Sequence, residues 1–427
     1  MLSWLAVSVA WSFCGTYVGP ADETPINNES RLVVVQNPDG TVLTMTSDAT
    51  EAPDSFGLLM PVPSDVTEDD IEVVSDISAL EELDNFTAPR VVSYTCESAG
   101  GDFGAQVAEG CAQSGEGCLE EAAMELANGA LPEIVKGVDV LSLSTKGIYQ
   151  VAILRADDAG ALQNWLDVFG FQTAPGTDAL IDNYIDQGVN FMAGRITRFD
   201  GPQKDPWLQP IRIRYDERTF SLPLRLGANN ANGDQDVLLW VVGSSSEGEA
   251  QVTSFPEVQQ ESDCMIPPDS DSTATIRKAF REARGQDDGV AVVEYSWDLS
   301  TSCDPCTADN DSPTSFLTEL GSTQVDAHSG AIDAYVTRLR MRFDPFKLDT
   351  DLHFSFTNSR DQRQLVYIEH RDELEATFPI CFEGFPDNPA GTCDEEVTGE
   401  TAKLPWWSLG LVPLFGWGLR RRRDERA

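Results

Sequence analysis

The sequence predicts an α+β protein, β-rich with mainly antiparallel sheet and a few helical insertions, the clearest a helical hairpin near 157–188. Three observations carry this. Short apolar runs of strand length recur between turn-forming Gly, Pro, Asn and Asp residues. Two stretches in the middle of the chain adopt the 3.6-residue apolar period of amphipathic helices. The order of elements is β-rich with two or three helical insertions, which is the α+β pattern.

The elements follow in order. "RLVVVQNPDGTVLTMTSD" reads as a hairpin, with strands Arg31–Val35 and Thr41–Thr46 joined around Asn37-Pro38-Asp39-Gly40. Phe56–Met60 is a further strand running into Pro61-Val62-Pro63, and Pro63, having no N–H to give a ladder, must lie at an edge or past the strand end. Residues 100–118, rich in Gly, Ala and Glu, read as a loop tied by Cys111 and Cys118. "GIYQVAILRADDAGALQNWLDVFGF" gives strand Ile148–Leu154, an N-cap at Asp157 or Asp158, and a helix with Leu162, Trp165, Leu166 and Phe169 on one face, stopped by Gly170. A second helix runs from Thr177 with Leu180, Ile181, Tyr184 and Ile185 inward, closed by Gly188.

Four strand-like runs come next, "NFMAGRITRF", "PIRIRY", "FSLPLRLG" and "DVLLWVVG", with a hairpin turn expected at Asn232-Gly233 before the last. Ser244–Ser272 is dominated by Ser, Glu, Asp and Pro and reads as a mobile polar loop. Then come a helix Thr273–Arg284, strand Val290–Trp297, a short helix near Ser312–Leu320, and strands Val336–Phe343, His353–Phe356 and "QLVYIEH".

A length of 427 residues accommodates two ordinary domains or one large one. The expected organisation is a signal peptide over 1–13 and an exported domain in two halves, 14–243 and 273–390, flanking the polar loop 244–272. A linker, 391–403, leads to a transmembrane anchor with a cytoplasmic Arg cluster over 404–427. A net charge of −42 argues against nucleic acid as a partner. The amino terminus has an apolar stretch, Leu2–Ala10, ending in the small-x-small pattern Ser8-Val9-Ala10 of an export signal. Nine cysteines, several in close couples (Cys111/Cys118, Cys303/Cys306, Cys381/Cys393), against three scattered histidines point to disulfides and an oxidising compartment more than to zinc. An odd count leaves one thiol cleaved off, lipidated, free or intermolecular, and Cys14 is the position where lipidation would fall.

The carboxyl end contrasts with everything before it. Leu404–Leu419 is sixteen uncharged residues followed by Arg420, Arg421, Arg422, Arg423 and Arg426. From Lys403 the tail carries +4, and the remainder holds 23 basic against 69 acidic side chains. The span would cover about 24 Å as a helix, short of the roughly 30 Å hydrocarbon core. Trp406, Trp407 and Trp417 suit the interfaces, and the Arg cluster belongs on the cytoplasmic side.

Several phrases in this order, "FGLLMPVPSD", "LEELDNFTAPR", "YQVAILRADDAGALQNWL", "VVEYSWDLSTSCDPC" and "TRLRMRFDP", resemble the exported bacterial family known as domain of unknown function 2330. That resemblance covers Cys14 to about Cys381 and implies export and one recurring architecture; it brings no catalytic residues. The tail is similar to envelope sorting tails built from a short motif, a hydrophobic span and an Arg cluster, although no Gly-Gly or Cys-Gly pair directly precedes Leu404.

Three constellations could carry chemistry. Cys303-Asp-Pro-Cys306 has the two-residue spacing of a thiol–disulfide centre, and serves equally as a structural disulfide. Alternation puts Arg212 and Arg214 on one strand face, and Arg338, Arg340 and Arg342 on another. If adjacent, they would form a basic stripe able to grip carboxylate or phosphate; the plainer alternative pairs them with acids across strands. Asp309-Asn310-Asp311 and Asn229–Asp236 offer oxygens to calcium, or are simply Asx-rich turns.

No catalytic, cofactor-binding or metal residue is singled out, and no cofactor is expected. The expected function is a non-enzymatic binding or structural module of the cell envelope, with the body outside the cytoplasm. Its expected partners are the membrane, through the span, and an envelope protein, with the ligand open. The alternative is an envelope oxidoreductase using Cys303 and Cys306, or a hydrolase using carboxylates.

Overall fold

A computed structural model describes residues 14–20, 25–27, 29–49, 55–92, 134–197, 207–218, 221–262, 264–266, 271–285, 287–301, 313–326 and 328–369. The tail, the signal segment, and all cysteines except Cys14 and Cys264 lie outside these residues, as does Asp309–Asp311. Among the described residues no helix is long and apolar enough to cross a membrane.

The described elements are β-rich and mainly antiparallel, with five helices: α1 (Ser78–Thr87), α2 (Ala159–Asp167), α3 (Asp178–Asp186), α4 (Ser272–Arg284) and α5 (Pro313–Glu319). Two large sheets hold most strands. The six-stranded sheet runs Thr16–Val18, Ser55–Val62, Asn190–Thr197, Tyr149–Ala156, Val138–Lys146, Ile134–Val135 in spatial order. The eight-stranded sheet runs Arg363–Gln364, Gly289–Asp298, Tyr335–Phe343, Gln235–Gly243, Glu29–Asn37, Gly40–Ser47, Ile211–Tyr215, Ile71–Val73.

Period-two alternation assigns each strand's side chains to opposite layers. Leu58, Met60, Val151 and Ile153 from the smaller sheet share one core with Leu32, Val34, Leu239, Leu339 and Met341 from the larger. The opposite face of the small sheet, with Ala152, Leu154 and Phe191, packs on Leu162, Trp165 and Leu166 of α2 and Ile181 and Tyr184 of α3. The opposite face of the large sheet, with Val33, Leu238, Trp240 and Val336, packs on Leu80, Leu83 and Phe86 of α1 and Phe316 and Leu317 of α5. The result is four layers, helices–sheet–sheet–helices, in which the central strands are apolar on both faces.

Local signals explain the best-formed pieces. Asp158 caps α2 by accepting from the Ala161 N–H at 2.8 Å. The helix ends as Phe171 N–H returns to Leu166 C=O and Gly170 takes φ +72. In the first hairpin Gly40 sits at φ +148 with the Tyr215 carbonyl only 2.6 Å from where a Cβ would lie, so the approach of strand Ile211–Tyr215 requires glycine. Pro63 lies just past strand Ser55–Val62, and Pro61 lies inside it beyond the short stretch covered by Thr16–Val18, where no second ladder needs its N–H.

Three expectations are corrected. "FSLPLRLG" forms a 3-10 helix, Leu224–Asn230, rather than a strand; Leu222, Leu224 and Leu226 are all buried, so its alternation mimics a strand. Asn232-Gly233 makes no hairpin, because Ile211–Tyr215 and Gln235–Gly243 lie apart in the sheet, separated by the first hairpin. The described residues of 244–272, expected as a mobile polar loop, are built into the fold. Ala250–Val252 pairs with Phe354–Phe356, Ser245 Oγ bonds Asp298 at 2.8 Å, and the Val258 N–H bonds the Ala291 carbonyl at 2.9 Å. Its polar residues have partners a long way off in sequence, which composition cannot reveal.

Candidate functional site

The arginine faces come first, being the sharpest electrostatic expectation. Strands Ile211–Tyr215 and Tyr335–Phe343 belong to the same sheet but are separated by three others, so no joint stripe forms. Each set is met by carboxylates instead. Arg212 and Arg214 both reach Glu72 at 3.3 Å. Arg338 Nε donates to Glu294 at 2.7 Å and Arg340 Nε to the other oxygen of the same carboxylate at 2.5 Å. Arg338 also bonds Asp84 at 2.6 Å and lies over the Trp240 ring, 5.1 Å from its centroid.

Glu294 is wholly buried in the middle of a strand, at a bulge between Val293 and Tyr295 that turns it toward the helix-covered face. Burial raises its pKa, but Arg340 and Arg338 outweigh burial and hold the carboxyl below its ordinary value. Arg342 joins Asp236 at 3.1 Å and Asp234 at 3.4 Å. Burial pushes the Asp236 carboxyl up to about 7 against the opposing pull of Arg342. Arg338, Arg340 and Arg342 therefore form an internal charge ladder met by carboxylates, whereas Arg212 and Arg214 share Glu72 at the surface.

The Asx-rich stretch is likewise committed. Asn230 accepts from Thr16 Oγ at 2.7 Å and from the Tyr17 N–H at 2.8 Å, tying the first strand to the 3-10 helix. Asp234 pairs with Arg284 and Arg342, and Asp236 with Arg342. Among the described residues no three His, Cys, Asp or Glu side chains gather as a metal site. Cys14 is a free thiol fully buried between the sheets; burial, and then Asp351, push its pKa far up, so it is no nucleophile there. Cys264 is disulfide-bonded.

The remaining chemistry gathers at the edge of the large sheet. Two short segments dock along the outer side of strand Gly289–Asp298: Glu257 opposite Ala291, and Arg363–Gln364 opposite Ser296 and Tyr295. Between them, at Val293, opens a cavity of about 460 Å³. One wall is Val258–Gln260 with Ser262, another is Trp297, and the third is Gln362–Val366.

The Tyr367 hydroxyl donates to the Glu261 carbonyl at 2.9 Å, so its oxygen accepts from Gln260 Nε2 at 2.6 Å. This fixes the Gln260 amide and leaves its Oε1 buried without a partner. Gln364 Nε2 donates to the Ala88 carbonyl at 3.2 Å, again leaving Oε1 unpartnered, as is the Trp297 indole N–H. Arg363 is bound by Glu249 at 2.8 Å and Glu257 at 2.8 Å, so its charge is already met by two carboxylates. Sequence reasoning missed this site because its walls lie in three separate segments; the one local trace is a concentration of glutamines in "VQQES" and "DQRQL".

The fold defines a four-layer α/β/β/α protein whose buried arginines pair with buried carboxylates and whose large sheet carries a cavity with mainly polar walls at its edge. The chain belongs to the family of uncharacterized proteins conserved in bacteria designated domain of unknown function 2330 (DUF2330), which matches residues 8–355. No curated protein and no solved structure matches it.

Proposed function

We propose that this is an exported envelope protein held in a membrane by residues 404–427, whose acidic body acts outside the cytoplasm as a non-enzymatic binding module. The observation that carries the reading is the charge contrast between the tail from Lys403, which carries +4 and holds sixteen consecutive uncharged residues, and a body of 23 basic against 69 acidic side chains. The apolar stretch Leu2–Ala10 and the disulfide at Cys264 support an oxidising, non-cytoplasmic location. The edge cavity of about 460 Å³, lined largely by polar side chains, supports binding as the activity. Burial of Cys14 in the core supports plain export over lipid attachment, because an acyl chain on a fully enclosed sulfur would need the two sheets to part.

Fractionation of cells making the full-length chain tests this. The protein is expected in membranes after an alkaline carbonate wash, with its body digested by protease added to spheroplasts. Recovery of the intact full-length protein in the soluble fraction without detergent overturns the anchor, and a protease-resistant body in intact spheroplasts overturns the topology.

A further inference from the structure

We propose that Asn232 is a site of spontaneous deamidation, and that its conversion loosens the tie between α4 and the large sheet. The pair Asn232-Gly233 forms no hairpin and lies in the connection between the 3-10 helix Leu224–Asn230 and strand Gln235–Gly243. Both residues are exposed. Among the described residues nothing accepts from the Gly233 N–H, and glycine carries no side chain to shield its nitrogen.

The step needs no reactant but water. The Gly233 nitrogen loses its proton and attacks Asn232 Cγ, an intramolecular reaction between neighbouring residues. The bond from Cγ to the side-chain nitrogen breaks, and ammonia leaves with the proton. Water then opens the cyclic imide at either carbonyl. One opening gives aspartate. The other gives isoaspartate, in which the main chain runs through the former side chain and is one methylene longer.

Other described asparagines lack one of these conditions. The Asn230 carboxamide is enclosed and accepts from Thr16 Oγ at 2.7 Å and the Tyr17 N–H at 2.8 Å. Asn27 is enclosed and donates to Asp48 at 3.1 Å. Asn37 precedes Pro38, whose ring nitrogen has no proton to lose. After Asn358 the Ser359 N–H is bonded to Thr357 Oγ1 at 3.1 Å.

Position gives the change its consequence. Asp234, two residues on, accepts from Arg284 Nη2 at 3.1 Å and from Arg342 Nε at 3.4 Å, joining the last turn of α4 to strand Tyr335–Phe343. Asp236 follows, paired with Arg342. A longer main chain at 232 shifts Asp234 against these arginines, and the new carboxylate adds a further acid close in sequence to Asp234 and Asp236.

The test ages the full-length protein in detergent, native and in urea, in mildly alkaline and mildly acidic buffer. Peptide mapping by mass spectrometry follows the product, and an isoaspartyl methyltransferase assay identifies the isomer. The peptide holding Asn232 is expected to gain the mass difference between amide and acid and to split into two isomers. Its rate should rise several-fold with alkalinity, because the attacking nitrogen must lose a proton, and should stay within a few-fold of the rate in urea. Asn128-Gly129, outside the described residues, reports the rate of the same chemistry in urea. In Asn232→Gln the modification is expected to be lost from that peptide. Amide hydrogen exchange in the last turn of α4 should quicken several-fold in aged protein and stay at its fresh rate in aged Asn232→Gln.

A native rate below about a tenth of the rate in urea overturns the site. Unchanged exchange in α4 after full conversion overturns the coupling to Asp234, as does equal quickening in aged Asn232→Gln.

Discussion

Replacing Glu294 by glutamine removes one charge and almost no volume from the interior of the large sheet. The carboxylate serves two guanidinium groups at once, Arg338 Nε at 2.7 Å and Arg340 Nε at 2.5 Å, and is itself fully enclosed. In the Glu294→Gln variant one oxygen remains to accept, while the amide NH₂ turns a donor toward the other guanidinium, so donor faces donor. Arg338 keeps Asp84, but the Arg340 guanidinium loses the only carboxylate it contacts among the described residues.

Breaking a buried pair by removing one partner costs about 3–5 kcal/mol. With a urea slope of about 3 kcal/mol/M, the unfolding midpoint should fall by roughly 1–1.7 M at unchanged slope. Equilibrium urea unfolding followed by tryptophan fluorescence measures this. The carboxyl is held below its ordinary 4.5, so its contribution is present above that value and is lost as pH falls through the lower folded value. The gap between wild type and variant should therefore narrow in acid. A drop of less than about 0.3 M at neutral pH would refute the claim that this carboxylate anchors the ladder. Replacing Glu294, Arg338 and Arg340 together by apolar residues should cost less than Glu294→Gln alone, since no unpaired charge is left behind.

Other outcomes follow from the same structure. Asp236, pushed up to about 7 by burial, favours the folded state at low pH and loses that advantage as pH rises through 7. Asp236→Asn should match wild type near pH 4 and exceed it at pH 8 by on the order of 2–4 kcal/mol, read from urea midpoints at the two pH values. Gly40→Ala places a methyl group against the Tyr215 carbonyl at an unfavourable φ and should destabilise by about 1–3 kcal/mol, measured by thermal unfolding. Cys14 should resist maleimide in the native protein and react fully in urea; peptide mapping that finds it modified under native conditions contradicts its burial.

The helical hairpin was legible because each signal is local. Asp158 starts α2, the Leu162–Trp165–Leu166 stripe sets its buried face, and Gly170 ends it, all within thirteen residues of chain. The β-rich class was legible from alternation, and most strand positions with it. What alternation cannot supply is adjacency. Strand Glu29–Asn37 runs parallel to Gln235–Gly243, and nothing within either segment names the other. The same limit hid the burial of Glu294, one acidic residue in "AVVEYSW", whose partners are Arg338 and Arg340. Helix α1 was missed despite Leu80, Leu83 and Phe86 at helical spacing. The cavity was missed most completely, since Gln260, Trp297 and Gln364 meet only after two sheets have formed around them.

The sheet order has a kinetic consequence. The first hairpin can close as soon as it is made, but its inner neighbour, Gln235–Gly243, arrives about two hundred residues later, and that strand's other partner, Tyr335–Phe343, a further hundred residues on. Pairings separated so widely make folding slow, and the early hairpin waits with unsatisfied edges until the late strands arrive. A nascent chain of this topology stays open for most of its synthesis. Such openness is compatible with the export proposed above, since a translocation pore passes only unfolded chain.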